Sequence, residues 1–414
     1  MQISAEIRSL FRSLRHRNFR LFWSGQLVSL IGTWMQTVAQ AWLVLDLTGS
    51  SFKLGVVSAL QFLPMLFLSF FTGPLIDYFD KRKIIIGSQL TLMLLAFLLA
   101  LLTWTGAVRY WHVLVLATLL GVVNTIDMPA RQAFVIEMVG REDLMNAVAL
   151  NSSVFNAARA FGPAAAGMLI SAGGTAFCFF VNGISFLAVI GGLLLMRTAG
   201  GPARDRRPYD ILRGTVEALR CIRETPVVLT TILLVAVVSI FGTNFNVLVP
   251  VFARMELHRD AAAFGFLLSS FGIGALFGAA SLAFLSRWAP RPAFLYSGGL
   301  GLSLFLMLIG LQRSYGLTAL LLGLAGWSMV AFFGMANTTV QLNTPDRLRG
   351  RVMSVYTLSF GGLSPFGSLF AGTMAHWFTA PTTFAAGGLI CGAVFLAVFL
   401  RRDRSIPSPG GAHR

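Results

Sequence analysis

Long apolar runs, separated by short charged segments, extend along almost the whole sequence. Around the charged segment 77–83, about 25 mostly apolar residues precede it (52–76) and about 22 follow it (84–105). A helix that rises 1.5 Å per residue needs ~20 residues to cross the hydrocarbon core of a bilayer. The pattern therefore predicts membrane-spanning helices that are joined by short loops.

Composition supports the same class of protein. Of the 414 residues, 56% are apolar and only 12% are charged, whereas about a quarter of the residues of a soluble domain are charged. The net charge of +16 is distributed in short clusters between the apolar runs and does not form one basic patch with interleaved aromatic residues. We expect a multi-pass membrane protein and no nucleic-acid partner.

The basic residues predict the topology of the chain. Of the 32 lysines and arginines, 26 fall on one side of the predicted membrane, five on the other and one within it, and cytoplasmic loops carry the excess. Both termini are therefore predicted to be cytoplasmic. The twelve predicted spans are 21–45, 52–76, 84–105, 111–136, 145–172, 175–196, 226–253, 261–286, 293–312, 316–341, 351–377 and 381–400.

These spans divide the chain into two halves of six helices, and Gly162-Pro163 in the first half has a counterpart in Ser364-Pro365 in the second. Apolar residues at 212, 216 and 219 predict an amphipathic helix along the membrane surface in the polar segment between the halves. This helix is either a solvated connector or a regulatory element. The predicted regions are a cytoplasmic N-terminus (1–20), two halves (21–196 and 226–400), a cytoplasmic linker (197–225) and a cytoplasmic tail (401–414).

Two sets of motifs resemble a known family. The segment 73–83 resembles the signature loop of the major facilitator superfamily, with Asp80 in the place of the usual turn glycine; its matching residues are Gly73, Leu75, Asp77, Lys81 and Arg82. Segments 124–134 and 139–163 are similar to the transmembrane secretion effector branch, whose members are enterobactin exporter-like transporters.

The resemblance implies an all-α fold of twelve transmembrane helices in two pseudo-symmetric halves. It implies secondary active export across the bacterial inner membrane, and a gating loop formed by Gly73, Asp77, Lys81 and Arg82. It also implies an antiporter-like element, to which Gly162, Pro163 and Gly167 correspond in part.

Polar residues within the spans are the candidates for the lining of a central cavity. In the first span they fall within an arc of ~100°, and the family resemblance implies lining roles for the fourth, seventh and tenth spans. Hydrogen bonding between helices is the alternative use of such residues. The full set is Gln26, Ser29, Thr33, Gln36, Thr37, Gln40, Asn124, Thr243, Asn244, Asn246, Asn337 and Gln341.

Charged residues within the spans are candidates for proton coupling, because an ionised group at the bilayer centre costs ~2.5–3.5 kcal/mol. They are Asp127, Arg131 and Arg159. Asp127 and Arg159 lie at similar predicted depths, so we expect that they can pair, and Arg131 is one turn from Asp127 and could compete for it. Asp127 is either the coupling carboxylate or one side of a static ion pair.

No cofactor or metal is expected. The three cysteines are isolated, and no lysine follows a glycine as a phosphate-binding loop requires. The five histidines occur singly near termini or helix ends, so an intramembrane enzyme is less favoured. A sensor is also less favoured, because no polar segment is long enough for a soluble output domain.

The expected function is proton-driven efflux of an amphiphilic small molecule that is siderophore-like or drug-like. An importer or a lysolipid or lipid flippase of the same fold is the alternative. The expected partners are the small-molecule substrate, protons and membrane lipid, with an outer-membrane efflux channel as a further candidate, and the expected functional unit is a monomer in the inner membrane.

Overall fold

A computed structural model describes residues 11–197, 211–285 and 292–402, and it is helical almost throughout. The predicted tail 401–414 and the first part of the predicted linker lie largely outside the described residues. The long helices of the first half are Arg17–Thr48, Ser51–Tyr78, Lys81–Trp104, Tyr110–Val139 and Leu144–Leu194. Those of the second half are Pro226–Phe241, Phe245–Val251, Ala261–Leu285, Pro292–Leu311, Tyr315–Leu342, Asp346–Thr357, Ser364–Trp377 and Ala380–Arg402.

By length and hydropathy, ten helices among the described residues are able to cross a membrane. One of them, Leu144–Leu194, contains two spans, because Gly174 (φ 77°) breaks the helical backbone and turns the chain. The region Asp346–Trp377 is a further span whose helix is interrupted by a π-helical turn at Leu358–Gly362. With these two features taken into account, the twelve-span fold predicted from the sequence is confirmed, and we number the spans one to twelve in chain order.

Span seven is also discontinuous. Its first helix ends at Phe241 and its second begins at Phe245. Two side chains satisfy carbonyl groups near the break: Thr243 donates to the carbonyl of Ser239 and Asn244 donates to that of Ile240. An interrupted backbone is tolerated inside a membrane where it is buried in protein or lines a cavity.

The bundle has two distinct ends. We call the end that carries the turns 79–80, 140–143 and 343–345 and the linker helix the basic end, and the end with the turns 49–50, 105–109 and 257–260 the opposite end. Arginines and lysines are concentrated at the basic end.

The two halves meet closely at the opposite end. Span two contacts span eleven, and span five contacts span eight. The hydroxyl of Ser51 donates to the carbonyl of Gly372 over 3.3 Å, and Arg254 pairs with Asp46 across the halves. Among the described residues, each ion pair at the basic end lies within the first half, lies within the second half, or joins the linker to the second half.

Glycines allow this close approach at two related places. A Cβ on Gly372 would lie 2.8 Å from the Cα of Gly55, and a Cβ on Gly265 would lie 3.0 Å from the Cα of Gly167. The first pair joins spans two and eleven, and the second joins spans eight and five. The backbones of the two halves are therefore in direct contact at both places.

The linker helix runs from Ile211 to Glu224. Ala218 and Ile222 are buried, whereas Val216 and Leu219 of the predicted apolar face are exposed. The carboxylate of Glu217 lies 2.6 Å from Arg351 at the base of span eleven. The linker helix thus packs on the second half through another face and leaves Val216 and Leu219 exposed, and its placement on a membrane surface stays a prediction.

Candidate functional site

Asp127 forms a compact polar cluster between spans three and four. Its side chain is 7% exposed. One carboxylate oxygen accepts from the Nε of Arg131 at 2.5 Å, and the other accepts from the Nε2 of Gln89 at 3.2 Å. The guanidinium of Arg131 also lies 6.0 Å from the ring centre of Phe22 in span one. A buried carboxylate is therefore held by one cation and one neutral amide.

The expected pair between Asp127 and Arg159 is wrong for this structure. Arg131 is four residues from Asp127 on the same helix, so its side chain reaches the carboxylate directly. Arg159 instead donates through Nη2 to the Oδ1 of Asn156 at 2.7 Å and lies over the ring of Phe155. None of the ion pairs among the described residues includes Arg159.

Arg159 lines a cavity of about 120 Å³ between the halves. The cavity lies beside the break in span seven, and two of the predicted lining residues, Thr243 and Asn246, form part of its wall. The other wall residues are Trp34, Phe245, Leu268, Phe271 and Met329. Spans one, five, seven, eight and ten therefore surround one small space with aromatic, apolar and polar groups.

Two glutamines of span one are used between helices. The Oε1 of Gln36 accepts from Asn182 of span six at 2.6 Å, and Gln40 donates to the Oε1 of Gln61 of span two at 3.0 Å. Both glutamines are less than a tenth exposed. Gln36 and Gln40 therefore form hydrogen bonds between helices, which is the alternative to lining a cavity.

The other candidates of span one differ among themselves. Thr33 and Thr37 donate to carbonyls one turn earlier, at Ser29 and Thr33. Ser29 is buried, and the Oε1 of Gln26 is buried without a hydrogen-bond partner.

Four other candidates, one in span four, one in span seven and two in span ten, lie outside the cavity wall: Asn124, Asn244, Asn337 and Gln341. Asn124 is partly buried, and Asn244 is a backbone partner near the break in span seven. Gln341 is exposed and donates to Asn337 at 2.6 Å, one turn earlier in span ten.

The antiporter-like element is a place of close helix packing. A Cβ on Gly162 would lie 2.6 Å from the Cβ of Trp34 in span one, and a Cβ on Gly167 would lie 2.8 Å from the Cα of Ala262 in span eight. Next to Pro163, the amide of Ala164 donates to the hydroxyl of Ser269 in span eight at 2.8 Å. Span five is thus held between span one and the second half.

The loop within the gating segment, between spans two and three, is shorter than the sequence predicts. Span two continues to Tyr78 and span three begins at Lys81, so Gly73 and Asp77 are helical in backbone, and their side chains lie outside the described residues. Asp80 has φ −62° and caps span three by accepting from the amides of Arg82 and Lys83. It therefore needs no left-handed turn geometry.

The basic residues of this segment bind within the first half. The buried ammonium of Lys81 lies 2.7 Å from the carboxylate of Glu137 in span four. Arg82 donates to the carbonyl of Leu194 at the end of span six at 3.2 Å. Both contacts tie the start of span three to neighbouring helices.

Sequence reasoning missed several partners of these groups. Gln89, Gln61 and Asn182 are single amides within apolar helices, and their hydrogen bonds join different spans. In the sequence, these three residues are distinguished only by being polar residues within membrane spans. The aromatic residues of the cavity wall carried no such signal, since aromatic residues recur throughout the apolar runs of this chain.

Twelve spans in two halves, with a cavity between them and a discontinuous lining helix, define a membrane transporter of the major facilitator fold. The family model described as transmembrane secretion effector matches residues 8–408. The chain belongs to this family, and it is a multi-pass membrane transporter and not an enzyme.

Relatives with assigned names are similar over almost their full lengths. The multidrug efflux pump Tap of Mycolicibacterium fortuitum is 29% identical over 390 residues, which is 91% of this chain and 93% of that protein. The staphyloferrin A transporter of Staphylococcus aureus is 24% identical, covering 89% of this chain and 92% of its own. The enterobactin exporter EntS of Escherichia coli is 24% identical, covering 95% and 94%.

Solved structures with the same fold include the nucleoside transporter NupG, with a TM-score of 0.74 and 10% identity over 92% of this chain and 99% of that one. A bacterial homologue of the lysosomal transporter Spinster has a TM-score of 0.70 and 15% identity over 93% and 95%. At these identities the likeness concerns the fold.

Proposed function

We propose that this protein is a proton-driven exporter of an amphiphilic small molecule and that it resides in the bacterial inner membrane with both termini in the cytoplasm. The names of the relatives, a multidrug efflux pump and an enterobactin exporter, support the direction. The observation that carries proton coupling is the buried carboxylate of Asp127. Of the described acidic residues, only Asp127 and Asp143 are buried, and Asp143 lies in a turn.

The contacts of Asp127 give a physical reason for coupling. Both oxygens act as acceptors, toward Arg131 and Gln89. A proton added to either oxygen cancels the negative charge and turns that oxygen into a donor, so the ion pair with Arg131 is lost. The guanidinium then keeps the ring of Phe22 in span one as a neighbour. Protonation would in this way release Arg131 within span four and alter its contact with span one, and a proton on the oxygen that faces Gln89 would also weaken the hydrogen bond between spans three and four.

The position of the inter-half contacts fits the loading step of an exporter. The halves meet at the opposite end, through the paired glycines and through Arg254 and Asp46. If the basic end is cytoplasmic, as the positive-inside bias predicts, this conformation is closed to the outside. Substrate would then enter from the cytoplasm.

The cavity is formed by the two halves of one chain, so we expect a monomer to be the transporting unit. An outer-membrane efflux channel stays a predicted partner.

The test of proton coupling is Asp127→Asn, measured in proteoliposomes at equal protein level. Breaking a buried ion pair can cost ~3–5 kcal/mol, so the amount of folded protein must be compared first. We expect the variant to bind substrate and exchange it downhill, but not to concentrate it under an imposed pH gradient. Asp346→Asn is the matched control, since this carboxylate is exposed and pairs with Arg349 in the same helix.

Uphill transport by Asp127→Asn under a pH gradient alone would show that Asp127 is structural. Export itself is tested by retention of a panel of siderophores and amphiphilic drugs in cells with and without the protein. Retention that does not fall when the protein is present, or that is unaffected by a protonophore, would contradict the proposal.

A further inference from the structure

Among the residues that the structure describes, no carboxylate pairs with the guanidinium of Arg159. Arg159 lies in the middle of span five, fifteen residues after the helix begins at Leu144, which is ~22 Å along the axis. The nearest acidic candidate, Asp127, is already engaged by Arg131 and Gln89. A charge at such depth normally has a partner or a function.

The hydrogen-bonding capacity of Arg159 is only partly used. A guanidinium has five N–H donors. One Nη2 donor goes to the neutral Oδ1 of Asn156. The Nε is buried without an acceptor, and the plane of the group lies 5.5 Å from the ring centre of Phe155. Neither partner carries a negative charge, so the site is short of an anion.

The walls around Arg159 add a second type of recognition. The rings of Phe245 and Phe271 lie with their centres 4.2 Å apart, and both, with Trp34, line the same cavity as the guanidinium. Asn246 adds an amide to the wall. An aromatic or other apolar group would contact the rings while an anionic oxygen contacts Arg159.

The size of the cavity limits what it can hold in this conformation. Its volume of about 120 Å³ is well below the ~300–1,000 Å³ of pockets that hold drug-sized ligands. The cavity therefore fits a charged head group and the first apolar atoms beside it. The rest of a larger substrate would extend along the interface between the halves.

We propose that Arg159 is the recognition site for an anionic oxygen group, and that the transported molecules are amphiphilic organic acids whose apolar part packs against Trp34, Phe245 and Phe271. The inference rests on the proposed transport through this cavity. It does not depend on the role of Asp127 in coupling.

The test uses three probes of the same shape: 2-naphthoate, its neutral methyl ester, and the cationic 2-naphthylmethylammonium. Binding is measured by calorimetry on the purified protein in nanodiscs of phosphatidylcholine. The wild type should bind naphthoate at least about tenfold more tightly than the ester or the ammonium, as expected for charge-assisted hydrogen bonds.

Two substitutions separate recognition from structure. Arg159→Gln should weaken naphthoate binding about tenfold to a hundredfold and leave ester binding unchanged. Arg159→Lys, which keeps the charge but loses the planar donor geometry, should cause a smaller loss. Arg313→Gln, at the opposite end of the bundle, is the matched control and should bind as the wild type does. Each variant is first checked for a folded, monodisperse state by size-exclusion chromatography.

Several results would overturn the inference. These are equal binding of the acid and the ester by the wild type, an equal loss of both in Arg159→Gln, and the absence of saturable naphthoate binding. If Arg159→Gln does not fold, the comparison of acid and ester in the wild type and in Arg159→Lys decides. Weaker naphthoate binding in nanodiscs that contain phosphatidylglycerol would assign the site to a lipid head group instead.

The outcome is distinguishable from that of the coupling experiment. Asp346→Asn, the control of the coupling experiment, should bind naphthoate with the affinity of the wild type. If Asp127→Asn proves fully active in uphill transport, proton coupling through that residue fails while the anion site stands. If Arg159→Gln binds naphthoate normally, the anion site fails while coupling stands.

Discussion

Gly265 offers a direct test of how the two halves are held together at the opposite end. A Cβ on this residue of span eight would lie 2.3 Å from the carbonyl oxygen of Pro163 and 3.0 Å from the Cα of Gly167. Both atoms belong to the backbone of span five, so no side chain can rotate away. Ordinary contact begins near 3.4 Å, so Gly265→Ala requires the two spans to separate by about 1 Å.

The cost of that separation gives the expected size of the effect. Overpacking a tight interface by one methyl group typically costs ~1–3 kcal/mol. If the clash exists only while this end is closed, the equilibrium shifts toward the open form by the same free energy. At ~1.4 kcal/mol for each factor of ten, the shift is about 5-fold to 140-fold.

The assay is the reaction of a single cysteine at position 51 with a membrane-impermeant maleimide. Ser51 is 2% exposed and lies within the inter-half contact at the opposite end, so Ser51→Cys should react only when that end opens. The natural cysteines are first replaced by serine; they are Cys178, Cys221 and Cys391. We expect Gly265→Ala to raise the rate of labelling by the factor calculated above.

Gly87→Ala is the matched control, because a Cβ at Gly87 in span three would have no atom within 4 Å. Both substitutions gain the same helix propensity of about 1 kcal/mol, so a difference between them reports the contact with span five. Equal labelling rates in the two variants would refute the reasoning. A rise in both would indicate a general effect on helix stability.

Three further outcomes are expected. Lys81→Met should lower the thermal stability in detergent by ~1–3 kcal/mol. This is less than the loss of a fully buried pair would cost, because the side chain of Glu137 is 32% exposed. Glu137→Gln in the same protein should restore part of the loss, and an unchanged stability of Lys81→Met would show that the ion pair does not stabilise the protein. Asp77→Asn should leave the protein inserted but slow transport per molecule, and an unchanged flux would remove this residue from the gate. Reporter fusions after Lys83 should be cytoplasmic and those after Arg109 external, and the reverse pattern would invert the topology.

The helical architecture was predictable from sequence because the length of an apolar run determines whether a helix can cross a bilayer. The interruptions of these helices were harder to foresee. The π-helical turn at Leu358–Gly362 and the break at 242–244 lie within apolar runs, and their effect on hydropathy is small.

The candidate site was less predictable than the fold, because a position along a helix axis does not give the direction of a side chain. Asp127 and Arg159 were correctly judged to lie within spans, yet a cation one turn away on the same helix forms the ion pair. Asp80 shows the same limitation in a turn. It stands where the family motif has a turn glycine, yet its φ of −62° is not left-handed and its carboxylate caps span three.

The amide contacts of span one bear on how the first half would behave during the proposed proton-coupled transport. Gln36 with Asn182, and Gln40 with Gln61, join spans one, six and two through neutral groups. Amides do not titrate in the physiological range, and neutral hydrogen bonds are little affected by ionic strength. The two faces of an energised membrane differ in pH, and the hydrogen bonds that join these three helices are equally strong at both pH values. Spans one, two and six can thus move together as one unit, while the proton response that we propose belongs to the groups around Asp127.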